Sequence, residues 1–423
     1  MSVLNEMAGP YGARVVVERD QNGRTESASL DLAELPRVDA LLIGQPVADV
    51  PYLVERVCGI CPAAHHLAGI RALEALAGLT TLPPTAESVR RLLHHGSAVT
   101  THASRFVASH TEASLLLRAF GRSAMAAAGS PRHFPTTAVV GGVVGPVSAS
   151  ARDELGARFG AAIAAARGLA DALVADDEQG RAFAGADVAL ADRFGRPDLL
   201  GERLRAVTAD GEVVHAAAPA DDWAALIAEA RPGRTAPRPY LVSLGPGLGE
   251  YRVGPVAQLR IGELTTSAAL QLQERWLAVG GNARAAQAIM MLHSVEAIGA
   301  LLDSSALVAG PSTTVTTGVP RNDGVGWVDG PRGLLVHRYV STAEGVASAV
   351  TILTPTAQNE PWLSGLLRAV IDGSPADSPD RMGLEDAIRE ADPCLPFSAA
   401  PPGTMELQVD TVMIPAVART EGR

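Results

Sequence analysis

The chain has 423 residues, enough for one large domain or two to three ordinary ones, and either arrangement can bury a sizeable core. Apolar residues make up 47% and aromatics only 4%, so the core must be assembled mainly from Ala, Val, Leu and Ile, which suits closely packed helices. A formal charge of -11 argues against a general phosphate-binding surface, and nucleic acid is not an expected partner.

In chain order, MSVLNEMAGPYGARVVV has no basic start followed by a long apolar run. No later stretch is expected to approach the about 18 uncharged apolar residues of a membrane span, so a cytoplasmic protein without one is expected. ARVVVERDQNGRTESASLDL reads as two short strands around Asn22-Gly23, a hairpin forming a small N-terminal β-layer. Apolar residues then recur at helical spacing from Val50 through Leu76 and from Thr85 to Ala128, with Pro83 and Pro84 as punctuation and Thr85 as the expected cap.

Pro131 to Pro146, with its paired glycines, reads as an irregular strand or loop, and Arg152 to Ala175 as an Ala-rich helix. Asp176 to Arg238 is rich in Asp, Gly and Pro and is expected to be a peripheral insertion of strands and loops. Helical periodicity returns from Leu264 to Asp303, and GLLVHRYV with ASAVTILTP predicts a β-hairpin region within 311–356. A short helix around Gly383 to Ala391 leads into Asp392-Pro393-Cys394 and a final tail. The expected fold class is mainly α with additional β: one domain over 1–423, with a helical-bundle core and the insertion at 176–238.

Three cysteines, Cys58, Cys61 and Cys394, are too few for a disulfide scaffold. They are also too few for a four-thiolate iron-sulfur cluster beside another metal site, so an electron wire would have to sit on a partner. The sharpest feature is Arg56-Val57-Cys58-Gly59-Ile60-Cys61 with His65 and His66 following. A Cys-x-x-Cys pair lets two thiolates face one ion, because the intervening Gly permits the backbone to turn inward. Spacing alone also fits a thioredoxin-like redox pair, or half of a structural zinc site completed by Cys394 and His65.

Read together, several segments narrow these choices. Arg-Val-Cys-Gly-Ile-Cys-Pro-x-x-His resembles the N-terminal metal motif of nickel-iron hydrogenase large subunits, and Asp392-Pro393-Cys394-Leu395, more than three hundred residues on, resembles the start of their C-terminal motif. Tyr251-Arg252-Val253-Gly254-Pro255, Pro331-Arg332-Gly333 with His337, and Pro355-Thr356-Ala357-Gln358-Asn359 match family signatures in the expected order. The cytoplasmic, group 3-like branch that pairs with flavin or deazaflavin partners looks most similar.

The resemblance implies four cysteine thiolates on nickel, two of them bridging to an iron that carries cyanide and carbon monoxide, since soft thiolates suit both metals. By position Cys58 resembles a terminal nickel ligand, Cys61 a bridging ligand and Cys394 the second terminal ligand. It further implies that His65 donates to a bridging sulfur, that Arg332 lies over the open metal position as a catalytic residue with Cys394, and that Pro331, Pro355 and Thr356 surround the diatomic ligands. No flavin, nucleotide or iron-sulfur cluster is expected on this chain. An iron-sulfur small subunit of hydrogenase and hydrogenase maturation proteins are the expected partners.

The pattern then fails at defined places. The second cysteine and the histidine of the family's C-terminal motif are replaced by Phe397 and Ala400, and a phenyl ring has no lone pair for a metal. In the family that histidine marks the cut made by a maturation protease; PPGTMELQVDTVMI resembles the segment that precursors discard, and here it is expected to stay attached. Near the N-terminus the family's proton-passing glutamate aligns with Pro10, followed by Tyr11 and Gly12, and proline cannot relay a proton. Glu6 and Glu34 are read as surface or structural carboxylates, Glu34 aligning near the family's structural metal ligand. His94, His95 and His102 share one predicted helix and are read as packing or hydrogen-bonding groups ahead of metal ligands. The resulting expectation is a degenerate homologue that holds an iron-cyanide-carbonyl fragment as an assembly scaffold for hydrogenase. The alternatives are a catalytic large subunit oxidising or producing hydrogen with an iron-sulfur small subunit, or a structural subunit of a redox complex.

Overall fold

A computed structural model describes residues 12–32, 38–56, 59–176, 179–232, 234, 236–314, 319–375 and 378–414. Its internal contacts divide the chain into two compact units, 1–36 with 229–239 and 356–423, and 37–228 with 240–355. The observed class is the expected mixture of helices with several small sheets.

The smaller unit is built on a three-stranded sheet. The hairpin forms as the sequence predicts: Gly12–Arg19 pairs antiparallel with Thr25–Leu30, and Gly23 supplies the left-handed residue of the turn with φ of 78°. On the other side of Gly12–Arg19 lies Glu406–Met413, parallel and in unbroken register from Gly12↔Glu406 to Arg19↔Met413. Val15, Val17, Ala28, Leu30 and Leu407 are buried. The Glu360–Asp372 helix packs on the Thr25–Leu30 strand through a face that includes Leu363, Leu366, Leu367 and Ile371, the spacing of an amphipathic helix. The tail that resembles the family's discarded segment thus contributes a full strand to this sheet.

The larger unit carries the long helices Pro62–Leu76, Pro84–Arg105, Thr111–Ala127, Ala149–Ala175, Ser267–Val279 and Ala283–Leu302. Two sequence expectations are corrected here. Val50–Leu76 is not one helix, because Pro62 restarts it and Cys61 before it leaves the helical conformation, φ -133° and ψ 49°. Thr85 is not the cap of Pro84–Arg105: Pro83 occupies that position, and the Thr85 hydroxyl donates instead to the Ala309 carbonyl at 2.9 Å.

One helix bears on the membrane expectation. Ala283–Leu302 is long and apolar enough to cross a bilayer by length and composition, with a mean hydropathy of 1.4, yet 67% of its apolar window is buried inside the protein. Buried on most of its faces, with Gln287, His293 and Ser294 among its buried residues, it has the character of a central core helix. Residues 176–238 contain the strands Ala186–Ala191, Arg203–Val207 and Val213–Pro219, joined into one sheet that continues through Tyr251–Arg252.

A three-stranded meander, Asp323–Gly330, Gly333–Ser341 and Ala347–Leu353, packs against Pro62–Leu76. The approach is set by glycine. A Cβ on Gly326 would lie 2.2 Å from the Ala68 carbonyl oxygen and 2.3 Å from the Ala72 nitrogen, so strand backbone rests directly on helix backbone. A buried ion pair ties the same helix to the next. Arg90 donates to both carboxylate oxygens of Glu74 at 3.0 and 2.6 Å and to the carbonyls of Val139 and Gly142, and the Gly141 amide donates to Glu74 at 2.9 Å.

Candidate metal centre

The first cysteine motif occupies the break between the Val50–Val54 and Pro62–Leu76 helices. Cys58 lies outside the described residues. Cys61 is buried at the N-cap position of the second helix, and its carbonyl accepts the Ala64 and His65 amides. A residue there stands at the positive end of the helix dipole, which favours anionic ligands. The break is anchored from both sides. The His66 Nε2 accepts the Ala138 amide at 3.2 Å, and its Nδ1 lies 3.1 Å from Glu55, just before the motif.

The Pro331-Arg332-Gly333 motif is the tight turn between two strands of the meander, whose ends pair Gly330 with Gly333, and Pro331 and Arg332 are buried. The turn interlocks with another family-like motif. A Cβ on Gly254, at φ of 101°, would lie 2.7 Å from the Arg332 carbonyl oxygen, and one on Gly333, at φ of 121°, would lie 2.5 Å from the Gly254 nitrogen. Two motifs widely separated in sequence are therefore pressed backbone to backbone, and any side chain at either glycine would part them.

His65 and His337, both on sequence-predicted motifs, meet: the His65 Nδ1 and His337 Nε2 share a hydrogen bond of 3.0 Å. His337 continues through Nδ1 to the Tyr339 hydroxyl at 2.7 Å. Burial holds the His337 imidazole well below its ordinary pKa and the Tyr339 phenol well above its own, so both are neutral near pH 7. Sequence reasoning did not single out Tyr339. The signal was present, since residues two apart on a strand share a face.

The histidines of Pro84–Arg105 serve packing and hydrogen bonding. His94 shares a hydrogen bond of 2.8 Å with the Asp329 carbonyl, and burial lowers its pKa to about 4. His95 stacks edge-on to His293 with ring centroids 6.0 Å apart. Burial and then the Arg332 charge lower His102 to about 3, so a neutral imidazole accompanies that guanidinium. Among the described residues no group of three or more His, Cys, Asp or Glu side chains is placed to hold a metal ion.

Asp329, which sequence reasoning missed, is fully buried. One of its oxygens accepts the Leu190 amide at 2.8 Å, and desolvation pushes its carboxyl up to about 7. A cleft of about 690 Å³ borders Arg71, Arg90, Arg91 and Asp198. Its inner charges already have partners. Arg90 pairs with Glu74, Arg91 holds both oxygens of Asp198 at 2.6 and 2.8 Å, and Arg71 donates to the carbonyls of Leu200 and Trp327.

In the smaller unit, Arg381–Ala391 ends at Asp392 in a left-handed conformation, φ 44° and ψ 57°, which turns the chain into the Cys394 loop. The Cys394 amide donates to the Thr356 hydroxyl at 2.8 Å, so Thr356 fixes the backbone of the cysteine loop. Phe397 and Ala400, where the resemblance led to the expectation of a cysteine and a histidine, are buried. The segment after them is held by Glu385, whose carboxylate accepts the Gly403 amide at 2.8 Å, the Met405 amide at 3.2 Å and the Arg389 guanidinium at 2.7 Å. Pro355 opens the short Pro355–Gln358 helix, while Glu6, Pro10, Tyr11 and Glu34 lie outside the described residues.

A family model described as nickel-dependent hydrogenase matches residues 37–111. The chain is 26% identical to the beta chain of the NAD-reducing hydrogenase HoxS of Cupriavidus necator, over 94% of this chain and 93% of that protein. It is 25% identical to a component of the F420-non-reducing hydrogenase vhu of Methanocaldococcus jannaschii, over 83% of this chain and 93% of that one. Among solved structures, an NAD+-reducing NiFe hydrogenase in the H2-reduced state superposes with a TM-score of 0.79 at 28% identity, covering 90% of this chain and 95% of that chain. A NiFeSe hydrogenase from Desulfovibrio vulgaris Hildenborough shares the fold at a TM-score of 0.64 and 18% identity, over 92% of this chain and 100% of that one.

Proposed function

We propose, from the premise that the chain is homologous to the large subunits of nickel-dependent hydrogenases, that it is a cytoplasmic assembly scaffold holding an iron-cyanide-carbonyl fragment on Cys58 and Cys61. The observation that carries this reading is Phe397, a buried hydrocarbon ring at the position where the family's second bridging thiolate would stand. A nickel-iron pair of the family type takes four thiolates and this chain has three cysteines, so its residues do not fit that pair. Two soft thiolates from one Cys-x-x-Cys loop do fit a single low-spin iron.

The other motifs of the resemblance supply the remaining residues of this reading. Arg332 offers a rigid fork of donors suited to cyanide nitrogen, and Pro331, Pro355 and Thr356 are the residues proposed to enclose the diatomic ligands. Cys394 is the thiolate that nickel would require, and Glu34 is the proposed ligand of a structural metal. The tail supports a chain that is not cut, because Glu406–Met413 is one of the three strands of its sheet. The partners on this reading are hydrogenase maturation proteins that load the iron and a hydrogenase subunit that receives it.

Protein purified anaerobically after co-expression with maturation factors is expected to show infrared bands from bound cyanide and carbon monoxide. Their reproducible absence rejects the scaffold. The catalytic reading has its own support in the similarity to hydrogenase subunits along nearly the whole chain. Hydrogen-dependent dye reduction by this chain with an iron-sulfur small subunit, abolished by Cys61→Ala, would establish that reading instead.

A further inference from the structure

The hydrogen-bond chain His65–His337–Tyr339 has a direction, and its far end sets it. Each neutral imidazole carries one donor and one acceptor nitrogen, so the tautomer of one ring dictates that of the next. The Tyr339 hydroxyl is fully buried, lies against Gly69 of the motif helix, and has the His337 Nδ1 as its hydrogen-bond partner at 2.7 Å. If Tyr339 donates, His337 carries its proton on Nε2, donates to the His65 Nδ1, and leaves His65 with its proton on Nε2. If the chain runs the other way, the Tyr339 hydroxyl accepts and its own proton is stranded without an acceptor in the interior, which is the costly arrangement.

We infer that Tyr339 is a positioning residue that fixes His65 as an Nε2–H donor, so that this nitrogen is ready to donate to thiolate sulfur of the metal-binding loop. The inference rests on the scaffold reading for what receives the donor, and on geometry alone for the tautomer. Tyr339 acts through two rings. His65 Nδ1 is engaged by His337 and therefore cannot be the donor, and no described residue occupies the His65 Nε2. A hydroxyl on the second strand of the meander thus sets the proton position of a ring one helical turn beyond Cys61, a residue proposed to touch metal.

The test reads tautomers directly. In the metal-free full chain labelled with 15N-histidine, two-bond proton–nitrogen correlation spectra near pH 7.5 are expected to show both His65 and His337 as Nε2–H tautomers, with His65→Gln and His337→Gln used to assign the signals. Tyr339→Phe is expected to abolish the single pattern at His337 and give a mixed one at both rings. A His65 signal of the Nδ1–H form in the unmodified protein overturns the inference, as does an unchanged pattern in Tyr339→Phe. The measurement on the unmodified chain stands even if the variant fails to fold. In iron-loaded protein the same substitution is expected to shift the cyanide and carbon monoxide bands while iron content stays level. A chain that never acquires iron sinks the scaffold reading but leaves the tautomer result to be judged on its own.

Discussion

The two cysteine motifs sit in surroundings of opposite character. Around Cys61 the neighbouring polar groups are organised: His66 is held between the Ala138 amide and Glu55, His65 begins a buried chain of three side chains, and the Arg332 turn interlocks with Gly254. After Cys394 the backbone is held by Thr356 and Glu385, and the side chains buried there are the phenyl ring of Phe397 and the methyl group of Ala400. The contrast shows that the polar side chains near Cys61 are tied to one another, whereas those near Cys394 give way to apolar packing at Phe397 and Ala400. Such a division suits a protein that holds one metal and passes it on.

The comparison can be broken first at the far end of the helix that Cys61 opens. Glu74→Ala would leave the Arg90 guanidinium buried without its carboxylate and is expected to cost about 3–5 kcal/mol, read from denaturant unfolding. A loss below about 1 kcal/mol would mean that this helix pair is not held as described.

Asp329 sharpens the same half. Its carboxyl is raised to about 7 in the folded state, so the native protein keeps a proton that the unfolded chain releases near pH 4. Stability from this group is full below about pH 4 and is lost as pH rises towards 7, by up to roughly 4 kcal/mol. Asp329→Asn should therefore stabilise the protein near pH 8 and gain little near pH 4, although His94 and His102, held neutral, weaken both proteins alike on acidification. A gain independent of pH would contradict this assignment.

In the other half, Phe397→Cys restores a sulfur at the expense of a cavity, and about 2–4 kcal/mol of stability should be lost. Nickel retention after maturation should rise above that of the unmodified chain. The smallest expected effect is at the tail: Glu385→Ala removes the acceptor of the Gly403 and Met405 amides, which should cost about 1–3 kcal/mol. Limited proteolysis should then cut before Glu406 sooner than in the parent, and equal cutting rates would show that the strand is held by the sheet alone.

Much of this was legible in the sequence, and the exceptions have physical reasons. Asn22-Gly23 announced its hairpin because a two-strand turn is a local event. The strand at Glu406–Met413 carried a legible alternation, Leu407, Val409, Thr411 and Met413 against Glu406, Gln408, Asp410 and Val412, but its parallel partner lies almost four hundred residues away and no local signal names it. Thr85 satisfied the rule for a cap, yet two prolines moved the helix start and freed its hydroxyl for Ala309. The resemblance to a family pointed to His65 and His337, whereas their hydrogen bond and the hydroxyl behind it depend on a strand laid against a helix. The resemblance also pointed to Phe397 and Ala400, because a side chain that a motif leads one to expect is missed as soon as the motif is read.

The most direct test of the central claim is the metal content of the purified full chain after maturation in the presence of nickel. The account predicts about one iron per chain, nickel far below one, and a polypeptide that still contains Glu406–Met413 when its C-terminal peptides are sequenced. Nickel and iron in equal amounts, on a chain cut before that strand, would contradict it.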